Sequence, residues 1–133
     1  MTRRHSMLIC DDEADLAQEL GEYFANEGWE VEVCVSGAEA VRLLEAGLAP
    51  QVLLTDLRIG TFNGGEVVAA ARRQPAGARP AVTVILTGHV VGSAVPADFA
   101  CDLLYAKPVD PDLLLREVVS LLALRDAWAE RRA

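Results

Sequence analysis

Short apolar runs recur along the chain, and between them apolar residues return every three or four positions. The runs are Met7 to Cys10, Trp29 to Val35, Val52 to Thr55, Ala81 to Thr87 and Leu103 to Ala106. Continuous apolar runs of this length are what strands covered on both faces require. Between the first two runs, Leu16, Leu20, Tyr23 and Phe24 fall at helical spacing, and Gly28 stands where a C-terminal cap is wanted. Ser36 and Glu39 have the spacing of a capping box and open a second helix through Val41 and Leu44. A third helix is expected from Gly65 to Arg73, ended by Pro75. Asp110 followed by Pro111 predicts the start of a last helix that buries Leu114, Val118 and Leu121 and runs on through Trp128. The segment GHVVGSAVPADFA, with Gly92 and Pro96 inside it, predicts only a short or irregular fourth helix.

Strands alternating with helices through short connections predict an α/β fold, a doubly wound five-stranded parallel sheet in the order 2-1-3-4-5 with helices on both faces. At 133 residues the chain fits one domain, with a core over about 6–124 and 125–133 as a helical extension. Sheets of this kind bind ligands beyond the carboxyl ends of their strands, where the strand order reverses. The first and third strands meet at that point.

Composition narrows the partners. Apolar residues make up 52% of the chain and the mean hydropathy is +0.23, as expected of a folded globule. A formal net charge of -8 opposes direct binding to nucleic acid or to an anionic membrane, which leaves a protein as the expected partner. Cys10, Cys34 and Cys101 are odd in number and match no paired metal spacing, which favours a reducing, cytoplasmic setting. The opening MTRRHS is followed by only Met7 to Cys10 before acidic residues, too short for a signal peptide or a membrane span.

Five polar side chains stand at the carboxyl ends of the expected strands. Asp11 and Asp12 follow the first, Asp56 the third, Thr87 ends the fourth and Lys107 follows the fifth. Carboxylates gathered on one rim repel, by about 4 kcal/mol for two unit charges ~4 Å apart at an effective dielectric near 20. A divalent, oxygen-seeking cation such as Mg²⁺ would relieve that repulsion and keep the acids ionised. An ionised aspartate held by metal and lysine can attack phosphorus to give an aspartyl phosphate, with Thr87 and Lys107 meeting the phosphoryl oxygens. The stretch GTFNGG lacks the lysine and hydroxyl of a phosphate-binding P-loop and reads as a turn. Cys10 reads as buried packing, and His5 and His89 as exposed.

Taken together, CDDEAD, LLTDLRIGTFNGG, VILTG and YAKPVD resemble the receiver domain of bacterial two-component response regulators, over about Ser6 to Leu124. The resemblance implies a flavodoxin-like sheet with Asp56 as phosphate acceptor and Asp12 and Asp56 as direct Mg²⁺ ligands. Asp11 would act through water, and the backbone carbonyl of Arg58 would be a further ligand. Lys107 would pair with the phosphoryl group, Thr87 would sense it, and a cis peptide bond would precede Pro108. It also implies a phosphohistidine donor on a histidine kinase or histidine phosphotransfer protein, output through contact with a downstream protein, and a monomer or weak dimer. The chain departs from the family where Gly60 replaces the usual proline, which widens the backbone conformations open to that loop. Leu104 stands at the switch aromatic's place, with Tyr105 one residue later on the opposite strand face. Arg58 and His89 occupy positions that tune phosphate lifetime in the family. Thr87 and Lys107 are 20 positions apart, a short interval that falls on the weak fourth helix. A pseudo-receiver, a binding module that keeps the fold without switching, is the alternative these departures leave.

Overall fold

A computed structural model describes residues 4–59, 62–88 and 101–132. Its main sheet is formed by β1 (Ser6–Cys10), β2 (Glu30–Cys34), β3 (Val52–Asp56), β6 (Val82–Thr87) and β7 (Leu103–Ala106), in the order β2-β1-β3-β6-β7 with every neighbour parallel. These are the five expected strands in the expected order. A small antiparallel ribbon, β4 (Arg58–Ile59) with β5 (Phe62–Asn63), follows β3 directly and was not anticipated.

Strand alternation sorts the apolar residues into two cores. Met7 and Ile9 of β1, Val52 and Leu54 of β3, and Val84 and Leu86 of β6 face one side. There they pack on Ala17, Leu20 and Phe24 of α1 (Ala14–Asn26) and on Leu114, Val118 and Leu122 of α4 (Pro111–Arg132). Leu8, Cys10, Leu53 and Ile85 face the other side, against Ala40 and Leu44 of α2 (Gly37–Glu45) and Val67, Val68, Ala70 and Ala71 of α3 (Gly64–Arg72). Helices on both faces cover β1 and β3, and each fully buried Leu or Ile contributes about 1.5–3 kcal/mol.

The helix termini follow their capping chemistry. Gly28 lies just beyond α1 with φ +90, the left-handed conformation that glycine adopts without strain. Ser36 Oγ accepts from the Glu39 amide at 3.4 Å, while the Glu39 carboxylate accepts from Cys34 Sγ at 3.7 Å, so Glu39 faces the strand end. Asp110 caps α4, its Oδ1 accepting from the Asp112 amide at 3.0 Å, and the helix continues through Trp128 to Arg132.

Several expectations need correction. Asn63 caps α3, its Oδ1 accepting from the Gly65 amide at 2.8 Å, so that helix starts at Gly64. In α4 the third core position is Leu122, with Leu121 only half-buried, because 114, 118 and 122 keep the four-residue interval. His5 is half-buried against the Trp29 ring, at a centroid distance of 4.8 Å, with Nδ1 3.2 Å from Gln51 Oε1. The expectations for Gly60, His89 and the fourth helix lie outside the described residues. Among the described residues no helix is long and apolar enough to cross a membrane.

Candidate functional site

The carboxyl ends of β1, β3, β6 and β7 lie side by side, and the five predicted side chains are carried there. Asp11 continues the β1 ladder by one residue, its amide donating to Cys34 O at 3.0 Å, and its side chain is wholly buried. Asp12 next to it is exposed. Asp56 ends β3 at 7% exposure, and Thr87 ends β6 in the same shell. The Lys107 amide donates to Thr87 O at 2.9 Å, locking the last two strand ends together. The Lys107–Pro108 peptide bond is cis, as the resemblance implied.

Lys107 organises the charge. Its Nζ stands 2.8 Å from each of Asp11 Oδ2, Asp56 Oδ2 and Glu13 Oε1. Burial on its own would lower the lysine pKa. The three close carboxylates of Asp11, Asp56 and Glu13 outweigh it and raise the pKa well above the ordinary value of 10.5. At Asp11 the balance is reversed. Burial raises the carboxyl pKa above its ordinary value, and the opposing effects of the nearby Lys107 ammonium and the Glu13 amide do not cancel that rise. Asp11 Oδ1 accepts from that amide at 2.9 Å, whereas buried Oδ2 meets the ammonium at close range without a well-directed hydrogen bond.

One carboxylate oxygen from each of Asp11, Asp12 and Asp56 lies within 4.8 Å of the others. An all-oxygen, anionic donor set with one under-bonded buried oxygen suits a hard divalent cation, so the residues present fit Mg²⁺. Cys10 sits beside this set and is buried, its thiol pushed up to about 12 by burial and by the neighbouring Cys34 and Asp11, which disfavours the thiolate.

Two residues of the site were missed in sequence. Glu13 belongs to the lysine's partner set; the acidic triplet hinted at it, but its partner lies 94 positions away. Gly64 brings the start of α3 against the end of β3, since a Cβ there would lie 2.1 Å from Asp56 O; the signal was the paired glycine after Asn63. The exposed Leu104 and the half-buried Tyr105 point to opposite faces of β7, and Tyr105 Oη donates to Glu117 Oε1 at 2.5 Å.

Comparison with known proteins identifies the class. A family model of the response regulator receiver domain matches residues 7–119, and the chain belongs to that family. A response regulator receiver protein of Anaeromyxobacter sp. is 36% identical over 90 residues, 68% of this chain and 36% of that protein. The two-component response regulator PprB of Pseudomonas aeruginosa is 29% identical over 121 residues, 86% of this chain and 42% of that one. The matched stretch thus spans less than half the length of these curated relatives. A solved receiver domain protein from Methanospirillum hungatei superposes with a TM-score of 0.79 at 21% identity, covering 94% of this chain and 98% of its own, and shares the fold. A receiver protein from Sinorhizobium medicae superposes at 0.73 with 28% identity, covering 92% and 98%.

Proposed function

We propose that the chain is a phosphoacceptor receiver in a two-component phosphorelay: Asp56 takes a phosphoryl group from a phosphohistidine on a histidine kinase or histidine phosphotransfer protein, with Mg²⁺, in the cytoplasm. The observation that carries this reading is the single ammonium, Lys107 Nζ, held 2.8 Å from Asp56 Oδ2 on the rim where Asp11 and Asp12 converge. The domain reading is one receiver unit, core about 6–124, with 125–133 as its helical extension, signalling by contact with another protein.

Asp11, Asp12, Asp56 and the Arg58 carbonyl would hold the cation, which supplies positive charge for the phosphoryl oxygens. The ribbon after β3 supports the carbonyl's part. Gly64 N donates to Leu57 O at 2.9 Å, which leaves the Arg58–Asn63 pair as the one without mutual hydrogen bonds. Arg58 N instead turns to Asp56 Oδ1 at 3.3 Å, and in extended backbone a residue's carbonyl points to the same side as its amide.

In the transfer, an Asp56 carboxylate oxygen forms the new P–O bond as the P–N bond to the donor imidazole breaks and its electron pair returns to the ring nitrogen. Lys107, beside the same carboxylate, would turn its ammonium to a phosphoryl oxygen as Asp56 becomes an acyl phosphate, a mixed anhydride. Thr87 carries a hydroxyl on the adjacent strand end that can follow the phosphoryl group. The group's added charge acts at the ends of β3 and β6, where Asp56 and Thr87 stand.

Incubation with acetyl phosphate and Mg²⁺, followed by intact-mass measurement, tests the reading. The parent is expected to gain one phosphoryl group, and Asp56→Asn and chelated samples none. An unmodified parent would leave a non-switching binding module.

A further inference from the structure

The ammonium and a divalent cation make overlapping demands on this rim. Lys107 takes Asp11 Oδ2 and Asp56 Oδ2, and a cation among Asp11, Asp12 and Asp56 draws on the same two carboxylates. Two cations sharing two carboxylates repel, and the lysine, tethered at the end of β7, must find charge elsewhere. Its third partner is Glu13, which stands outside the group of three aspartates whose oxygens converge. The three lysine partners are graded in exposure: the Asp11 side chain at 0%, Asp56 at 10% and Glu13 at 63%. Glu13 therefore holds the ammonium from the solvent side, the side from which a phosphoryl group arrives. Its backbone is fixed from beneath by the amide's hydrogen bond to Asp11 Oδ1, and it occupies the N-cap position of α1.

Resting on the phosphoacceptor reading, we propose that Glu13 is a positioning residue for Lys107. It receives the ammonium when the aspartates turn to the divalent cation, so that lysine and metal occupy the rim together. Without Glu13, the ammonium's remaining carboxylates are the two the cation draws on, and the two positive charges compete for them.

The test is Mg²⁺ titration by calorimetry, with no phosphodonor present, on the parent, Glu13→Gln, Lys107→Met and the double variant, at physiological salt. Glu13→Gln is expected to weaken Mg²⁺ binding by about 3- to 5-fold, the scale of a partly exposed ion pair. In the Lys107→Met background that loss should largely vanish, because Glu13 acts through the lysine. An equal loss in both backgrounds would reduce Glu13 to a distant negative charge, and no loss in either would overturn the proposal outright. Should Lys107→Met fail to fold, the ¹⁵N-resolved ammonium signal of Lys107 decides. At saturating Mg²⁺ it should persist in the parent and be lost to solvent exchange in Glu13→Gln, and identical behaviour in both would overturn the proposal. If the parent binds no Mg²⁺, the phosphoacceptor reading itself fails, which is a separate result.

Discussion

Gly64 packs its Cα directly against the backbone of Asp56. A Cβ at Gly64 would lie 2.1 Å from the Asp56 carbonyl oxygen and 3.1 Å from that of Leu57, and the Gly64 amide donates to Leu57 O at 2.9 Å. The end of β3 and the first turn of α3 are thus in backbone contact, with no flexible side chain between them to yield. Gly64→Ala is expected to cost about 1–3 kcal/mol, as forced overpacking does, and to slow acquisition of the phosphoryl group by displacing Asp56. Gly77→Ala, where nothing lies within 4 Å of the added carbon, should stay within about 0.5 kcal/mol. Urea denaturation of the two variants, with mass-monitored phosphorylation, checks the contrast.

Gly37 and Phe62 form a second close approach, between the first residue of α2 and the ribbon that follows β3. A Cβ on Gly37 would meet the Phe62 ring at 2.1, 2.6 and 2.8 Å. Because the obstacle is a side chain, removing the ring should relieve it. Gly37→Ala is expected to destabilise, and Phe62→Ala in the same chain to recover part of that loss, giving a coupling of about 0.5–3 kcal/mol in a double-mutant cycle. Strict additivity would show that the ring does not seat on Gly37 in solution.

The rim was legible in sequence because a parallel sheet turns strand ends into neighbours. Once the five runs were ordered, Asp11, Asp12, Asp56, Thr87 and Lys107 had to share an edge. Period-two alternation likewise separated Leu104 from Tyr105. What escaped detection carries no periodic signal. The ribbon strands Arg58–Ile59 and Phe62–Asn63 are two residues each, too short for alternation to register. The Glu13–Lys107 pair, and that of Arg125 with Asp102 at 2.5 Å, are decided by where helices come to lie on the finished sheet. Leu121 and Leu122 differ by 100° around α4, within the error of a helical phase taken from three apolar residues.

Asp11 exchanges stability for binding. Its carboxyl pKa is raised in the folded protein, so the fold binds that proton more tightly than the unfolded chain does. With a raised acid the sign is unfavourable: stability falls as pH rises from the ordinary value of 3.8 through the folded value, and stays reduced above it. Asp11→Asn removes this deficit and keeps an acceptor for the Glu13 amide. Without metal the variant should melt above the parent at neutral pH, and the gap should close as pH falls toward 3.8. Saturating Mg²⁺ should reverse the order, since the parent gains about 2.7 kcal/mol at a hundredfold excess over its dissociation constant and the variant does not. Lys107 acts at the other end of the scale. Its raised pKa stabilises the fold below 10.5, and that contribution is lost as pH climbs through the folded value.

The register of α4 makes a last contrast. Leu114, Val118 and Leu122 point into the core at 0%, 0% and 3% exposure, whereas Leu124, two residues on, is 66% exposed. A step of two residues turns a helix by about 200°, so the two leucines share a helix and little else. Leu122→Ala should lose about 2–5 kcal/mol by leaving a cavity beside Phe24 and Trp29's core, and Leu124→Ala should change stability by less than about 0.5 kcal/mol. Equilibrium urea unfolding at two protein concentrations measures both. A loss at Leu124 that matches Leu122 and grows with concentration would mean that the far end of α4 is covered by another copy of the chain in solution, because only a covered leucine leaves a cavity when it is truncated.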